Sequence, residues 1–444
     1  MPLRDAKSIP GPKGQFLIGN ALRFERDPIT WLRQALDGFG DIVRVNPYTI
    51  LIHDQDDVQR FLLATNTDFV MDKPPRGRKS QKQDQKERQK GWLEENPYFW
   101  RIFSRPTVAR HLDRIALQMS AQLRYQANVE QDVYAGARRV CGNLVADFFL
   151  GHDEKAGEIA NAADRAMDAH LQVNERPESQ WVFGSRRRSR HIYSESDRQM
   201  ASIRHIIDFR TSGDALGEQH DALDTLLSDF PELTKSVVAT IIGDGIATGF
   251  SAPGSALTWI MLRLANHPEY AEHIRQEARG FDFENMTSGD INRILSSYAA
   301  AFVKEVLRLH PPHWMIIRRT ASRVLIRGYQ IPPGYTVLCI PYLIHRDRRW
   351  WSEPEEFDPE RWRGQRLPYS GSAYLPFGHG PRMCPARFIG QIELVLATFL
   401  LAAEYTLKLP PLDTVNALCR SLLLPENLEG GWYGATTPPP GARR

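Results

Sequence analysis

Cysteine is scarce in these 444 residues. Its four thiols, Cys141, Cys339, Cys384 and Cys419, lie far apart and form no Cys-x-x-Cys pair. That excludes a disulfide scaffold and suits a reducing compartment. No Ser/Gly-rich linker and no internal repeat interrupts the chain, so one domain over 1–444 is expected. Long apolar runs are missing too. Met1 to Gly14 is polar and rich in Pro and Gly, without a stretch of signal or anchor length, so no membrane span and a cytoplasmic location are expected. Charge of one sign is not in excess: 56 Lys and Arg against 53 Asp and Glu give +3, which identifies no partner. One basic stretch, Lys73 to Lys90, has no interleaved aromatics, which argues against nucleic acid. It reads as a solvated loop or as a docking surface for an acidic partner.

The chemistry gathers at Pro376 to Glu393. Phe377, Gly378, Gly380 and Pro381 predict an irregular loop. After Cys384 an apolar helical pattern begins, with Pro385 suited to the first helical position. A thiol at a helix start is biased toward thiolate by the unpaired N–H groups and the dipole there. A thiolate is a soft, strong donor to iron. Arg382, two residues earlier, is suited to pair with a ligand carboxylate.

Phe377-Gly-His-Gly-Pro-Arg-Met-Cys384-Pro-Ala386 resembles the haem-thiolate loop of the cytochrome P450 superfamily, F-x-x-G-x-R-x-C-x-G, with Ala386 in place of the last Gly. The resemblance covers roughly Pro10 to Leu424. It implies a mainly α fold with small β-sheets, a triangular prism with haem between a long central helix and the Cys-ligand helix. It further implies haem b on Cys384, with Arg382 and Phe377 at the cofactor. Glu305-Val-Leu-Arg308 resembles the E-x-x-R motif, and Arg361 its third member, in a structural role. Arg318 matches the propionate partner, with Arg319 as the fallback, and His345 is a second propionate candidate. Trp92 stands where the family often carries W-x-x-x-R, but Asn96 follows at the fourth position, leaving Arg101 or Arg105 as substitutes.

Ser236 to Leu264 reads as one long apolar helix and resembles the central helix that crosses the haem. In that register the distal motif A-G-x-[DE]-T falls on Thr248-Gly249-Phe250-Ser251-Ala252, directly before Pro253. Gly249 is kept, while the acid becomes Ser251 and the alcohol Ala252. An oxygenase must deliver protons to the dioxygen it reduces, and an acid and an alcohol organise that delivery. Ala252 cannot donate, and Pro253 removes a backbone N–H. Phe250, Trp314, Ile316 and Leu422 are the expected pocket residues, an apolar set. Gln180 to Arg190, with Trp181, Phe183 and Arg186 to Arg190, is expected between two lid helices, the second over Tyr193–Phe209.

The resemblance therefore implies a soluble, bacterial-type, monomeric oxidoreductase acting on a small organic substrate, free or carrier-bound, in specialised metabolism. Electrons would come from NAD(P)H through a ferredoxin or flavodoxin and its reductase. The altered distal pair leaves several chemistries open: monooxygenation with water or substrate supplying protons, oxidative coupling or cyclisation, peroxide-driven oxidation, and redox-neutral dehydration or isomerisation. A non-catalytic haem protein is the reading from another class.

Overall fold

A computed structural model describes residues 3–14, 20–71, 97–151, 153, 155–174, 185–211, 221–364, 366, 368–369 and 372–434. Trp92, Asn96, the basic stretch 73–90, Trp181 and Phe183 lie outside the described residues. The chain divides into two compact bodies: Met1–Gly91 with Leu307–Cys384, and Trp92–Val306 with Pro385–Arg444.

The first body is built on a mixed five-stranded sheet. Its strand order is Ile42–Asn46, Thr49–Ile52, Thr336–Cys339, Ile316–Thr320, Phe69–Met71. Apolar and polar residues alternate over Ile42 to Val45 and Tyr48 to His53, which predicts a hairpin, and the first two strands form one, with Val43 opposite Leu51. The only parallel pairing in this sheet joins Thr49–Ile52 to Thr336–Cys339. Helix Pro28–Phe39 begins with Asp27 accepting from the Thr30 N–H and Pro28 in the first turn. It runs through Gly38 and stops at Gly40, whose φ of 86° a side chain would resist. Helix Gln55–Leu63 is capped by Asp54, which accepts from the N–H groups of Asp56 and Asp57. Ile50, Ile52, Val58, Phe61, Val337 and Ile344 form the centre of this body's core.

The second body is helical. Its axis is Lys235–Asn266, a helix of 32 residues that continues through Pro253. Helix Val133–Leu150 packs along it through small residues. A Cβ on Gly142 would lie 2.1 Å from the Phe250 ring, one on Gly249 2.8 Å from Val145, and one on Gly254 2.7 Å from the Arg138 backbone. Ala156–Asn174 and Ser185–Thr211 lie against each other and against the long helix. The expected lid segment is corrected here: Arg186 to Arg190 are the opening turns of helix Ser185–Thr211, not a connector. The helical periodicity of Ile294 to Leu309 predicts one helix, but two are present, Asp290–Leu295 and Tyr298–Leu309. Ser297 Oγ accepts from the Ala300 N–H, and the Glu277 carboxylate accepts from the N–H groups of Tyr298 and Ala299 at 2.9 and 3.1 Å. Those acceptors start a new helix where periodicity alone reads one continuous run. Helix Arg387–Glu404 is buried at every position from Ile392 to Ala402.

Candidate functional site

The loop that ends at Cys384 is held by its own backbone. The Cys384 N–H donates to the Phe377 carbonyl at 2.9 Å, Met383 N–H to Gly380 O at 2.9 Å, and Gly378 N–H to Leu375 O at 3.1 Å. Gly378 and Gly380 have φ of 71° and 74°, the left-handed region. Gly380 is constrained twice, because a Cβ there would meet the Leu62 carbonyl oxygen at 2.5 Å. This closed loop leaves Cys384 half-buried and outside any disulfide. The helix after it begins at Arg387, with Ala386 as the capping residue, so Pro385 precedes the helix and does not occupy its first position.

Arg382 and Arg318 supply cationic character in the same body. Arg382 Nε donates to Asn66 Oδ1 at 3.0 Å. Asn66 itself adopts φ of 83°, which Asn tolerates better than most residues. Sequence reasoning missed Asn66; the only sequence signal was an Asn in a short Asn-Thr-Asp turn. Arg318 lies in strand Ile316–Thr320, opposite Met71 and Val337. One of its NH groups donates to Ile317 O at 2.8 Å, while the buried Nε has no hydrogen-bond partner among the described residues. Burial, and then the nearby charge of Arg382, push the Arg318 guanidinium down to about 10. Two cations that burial and mutual repulsion disfavour, one with an unsatisfied donor, suit a ligand carrying two carboxylates. With the thiol of Cys384, this donor set fits an iron porphyrin with propionates.

His345 does not share that role. Its ring is fully buried, the Leu375 N–H donates to Nε2 at 2.8 Å, and Nδ1–H donates to Arg308 O at 2.9 Å. Both nitrogens are committed to backbone, and burial lowers the pKa to about 3. The propionate assignment is therefore corrected: His345 is a neutral cross-link. Arg308, also fully buried, donates to the carbonyls of His345, Pro354 and Glu356. Arg361 donates to those of Ser352, Glu353 and Glu356. The E-x-x-R arginine and its partner thus converge on one carbonyl, Glu356 O, and fasten segment 345–356. Glu305 is fully buried in the same helix as Arg308.

Of the expected pocket residues, Phe250 is fully buried with its ring against Gly142, a packing position rather than a pocket wall. Trp314 is buried beside Phe24, ring centroids 6.5 Å apart. Ile316 is partly buried against the sheet core, and Leu422 is buried at a hairpin tip. In the long helix, Gly249 is packed on Val145. Ser251 is buried with its hydroxyl lacking a partner among the described residues, and Ala252 is half-buried. Pro253 leaves the Gly249 carbonyl without its usual donor four residues on. Of the substitutes for the missing W-x-x-x-R arginine, Arg101 pairs with Asp229 at 2.8 Å. Arg105 donates to Asn292, with its guanidinium 5.9 Å from the Phe388 ring centre.

Comparison with known proteins adds an independent line. Cytochrome P450 71B17 of Arabidopsis thaliana is 29% identical over 244 residues, which cover 52% of this chain and 48% of that protein. Dolabradiene monooxygenase of Zea mays is 36% identical over 184 residues, 40% and 36% of the two chains. The chain therefore spans about half the length, or less, of the curated relatives it matches. The crystal structure of the cytochrome P450DA heme domain superposes with a TM-score of 0.78 at 17% identity, covering 98% of both chains. The cyanobacterial CYP120A1 bound to retinoic acid gives 0.72 at 21% identity, covering 96% of this chain and all of the other. At such identities these likenesses establish the fold, mainly helical with small sheets. Among the described residues no helix is long and apolar enough to cross a membrane. A family profile described as Cytochrome P450 matches residues 9–429, nearly the whole length over which the closed Cys384 loop and the Arg308–Arg361 fastening are built, and the chain belongs to that family.

Proposed function

We propose that this chain works as one domain over 1–444, a haem-thiolate oxidoreductase that oxidises a small organic substrate. The observation that carries the reading is the Cys384 loop, closed by the 2.9 Å bond to Phe377 O and bent by two left-handed glycines. Cys384 would hold the iron, and Arg318 and Arg382 would take the two propionates, satisfying the buried Arg318 Nε. When bound, haem would supply oxidising power through an iron whose thiolate ligand favours O–O cleavage. Ser251 Oγ would carry protons, a weaker donor than a carboxylic acid. Gly249 gives the long helix its close packing, Ala252 offers no donor, and the substrate would be apolar. NAD(P)H would supply electrons through a ferredoxin or flavodoxin and its reductase. The reading extends to a bacterial-type, monomeric, cytoplasmic enzyme of specialised metabolism.

The combination of Ser251, Ala252 and Pro253 favours a second reading with the same haem: oxidation driven by peroxide, or a redox-neutral rearrangement. Both readings meet one experiment. Dithionite and carbon monoxide should move the Soret band far to the red in the wild type and not in Cys384→Ser. Wild-type protein that binds no haem ends both readings. Dolabradiene and retinoic acid, taken from the names of similar proteins, are the first substrates to try. Product only with NADPH, ferredoxin and reductase supports monooxygenation, and product with hydrogen peroxide alone supports the second reading. Product formed with neither added supports the redox-neutral form of that reading, and no product under any condition, for any substrate that binds, moves the assignment to a non-catalytic haem protein.

A further inference from the structure

Four large aromatic side chains meet in the first body, just ahead of the Cys384 loop: Trp351, Trp362, Tyr369 and Tyr374. Ring centres lie 4.7 Å apart for Trp362 and Tyr374, 5.7 Å for Tyr369 and Tyr374, 6.1 Å for Trp362 and Tyr369, and 5.0 Å for Trp351 and Tyr369. Such contacts serve packing, but Trp and Tyr are also the aromatic side chains that release an electron most readily. A short path joins Tyr374 to the loop. The chain runs on through Leu375, whose carbonyl accepts from the Gly378 N–H, to Phe377, whose carbonyl accepts from the Cys384 N–H. The four rings are not equivalent. Trp351 is 1% exposed, its Nε1 has no hydrogen-bond partner among the described residues, and the Arg308 guanidinium lies 5.2 Å from its ring centre. A cation beside the ring opposes loss of an electron, and a buried N–H without an acceptor cannot shed its proton. Trp362, Tyr369 and Tyr374 are only partly buried, so water can take a proton from them. Burial raises the Tyr369 pKa above its ordinary 10, so at neutral pH this ring loses an electron and a proton together.

We propose that Tyr374, Trp362 and Tyr369 form a relay that drains oxidising equivalents from the Cys384 site to dissolved thiols, with Trp351 as a wall that takes no part in the transfer. This rests on the haem-thiolate reading above. Peroxide consumed there without substrate takes up two electrons and two protons and becomes two waters. Tyr374 would supply each electron along the path to Cys384, its O–H bond breaking and its proton passing to water. Trp362 or Tyr369 then refills Tyr374, and a thiol at the surface refills them, its S–H bond breaking. Two such thiols join as a disulfide, so peroxide and two thiols give two waters and one disulfide. Without the relay the same oxidising power is spent on the haem and its cysteine.

The test treats haem-loaded wild type, Tyr374→Phe, Trp362→Phe and Trp351→Phe with hydrogen peroxide in the absence of substrate. Tyr374→Phe and Trp362→Phe should each bleach the Soret band about threefold faster or more. Samples frozen during the reaction should show a phenoxyl or indolyl radical by electron paramagnetic resonance in wild type and Trp351→Phe, and a weaker one in the other two. A packing role predicts the opposite order, because Trp351 is the most buried of the rings and its truncation the most damaging. That opposite order, or bleaching and radical signal unchanged in both Tyr374→Phe and Trp362→Phe, would overturn the relay. Wild type that takes up no haem would end the haem reading, and the relay is then tested by itself with azidyl radicals on the haem-free protein. Indolyl absorption should give way to phenoxyl absorption more slowly in the double variant Tyr369→Phe/Tyr374→Phe than in wild type, and equal rates would overturn the relay as well.

Discussion

Between Phe377 and Cys384 each bend has a visible holder: a closing hydrogen bond, two glycines in the left-handed region, and a contact with Leu62 that admits no side chain. Between Gly249 and Pro253, in the other body, the helix carries an unpartnered hydroxyl, an alanine and a proline. The first region tolerates few changes, because backbone positions that only glycine can occupy do not adapt. The second is helix either way; Gly249 and Phe250 are fixed by packing on Val145 and Gly142, while Ser251 and Ala252 carry no such constraint. The two stretches are thus under different structural pressures, and they can diverge separately.

The largest effect should come from breaking the rigid region. Gly380→Ala places a Cβ against the Leu62 carbonyl and demands a strained φ, with an expected loss of about 2–4 kcal/mol in stability. Urea denaturation should show it, together with lowered haem content. Ser251→Ala removes only an unsatisfied buried hydroxyl and should leave both readouts near wild type. Equal losses in the two variants would erase the contrast.

A smaller effect separates holding from folding. Arg318→Met removes a cation that burial and Arg382 disfavour, so the stability of the haem-free protein should be unchanged or raised. Haem should nonetheless leave about tenfold faster, since a charge-assisted bond to a propionate is lost. Haem capture by excess apomyoglobin measures the rate. A destabilised apoprotein with unchanged haem loss would make Arg318 a packing residue.

The smallest effect concerns His345, whose folded pKa of about 3 lies below its ordinary 6.5. Above pH 6.5 both states are neutral and its contribution is complete. As pH falls from 6.5 toward 3, only the unfolded chain gains the proton, so stability declines. The loss attributable to this group should reach about 1.4 kcal/mol at pH 5.5. His345→Gln should be less stable at neutral pH but should show a shallower acid slope. An unchanged slope would mean that the ring is accessible to protons in the fold.

Much of this was legible beforehand. The Cys384 loop, the hairpin of Ile42 and Ile52, the long helix and the Arg308–Arg361 pairing follow from local residue patterns, and local patterns survive folding. His345 was misread because a histidine two residues before an aspartate looks the same whether its ring meets a propionate or a backbone amide thirty residues away. Phe250 was misread because helical periodicity says which residues share a face, not what that face meets. The break at Ser296 was invisible because its cause, the Glu277 carboxylate, arrives from another helix.

The sequence by itself determined the family, the loop before the cysteine at 384, the glycines that let that loop close, and the residue types at 249–253. Each of these is a property of residue type and spacing. Only the tertiary structure decided that His345 is a cross-link, that Arg318 keeps an unsatisfied buried donor, and that Ser255 and Trp259 share the Leu423 carbonyl. Those facts depend on desolvation and on hydrogen bonds between residues far apart in the chain, and neither exists until the chain has folded.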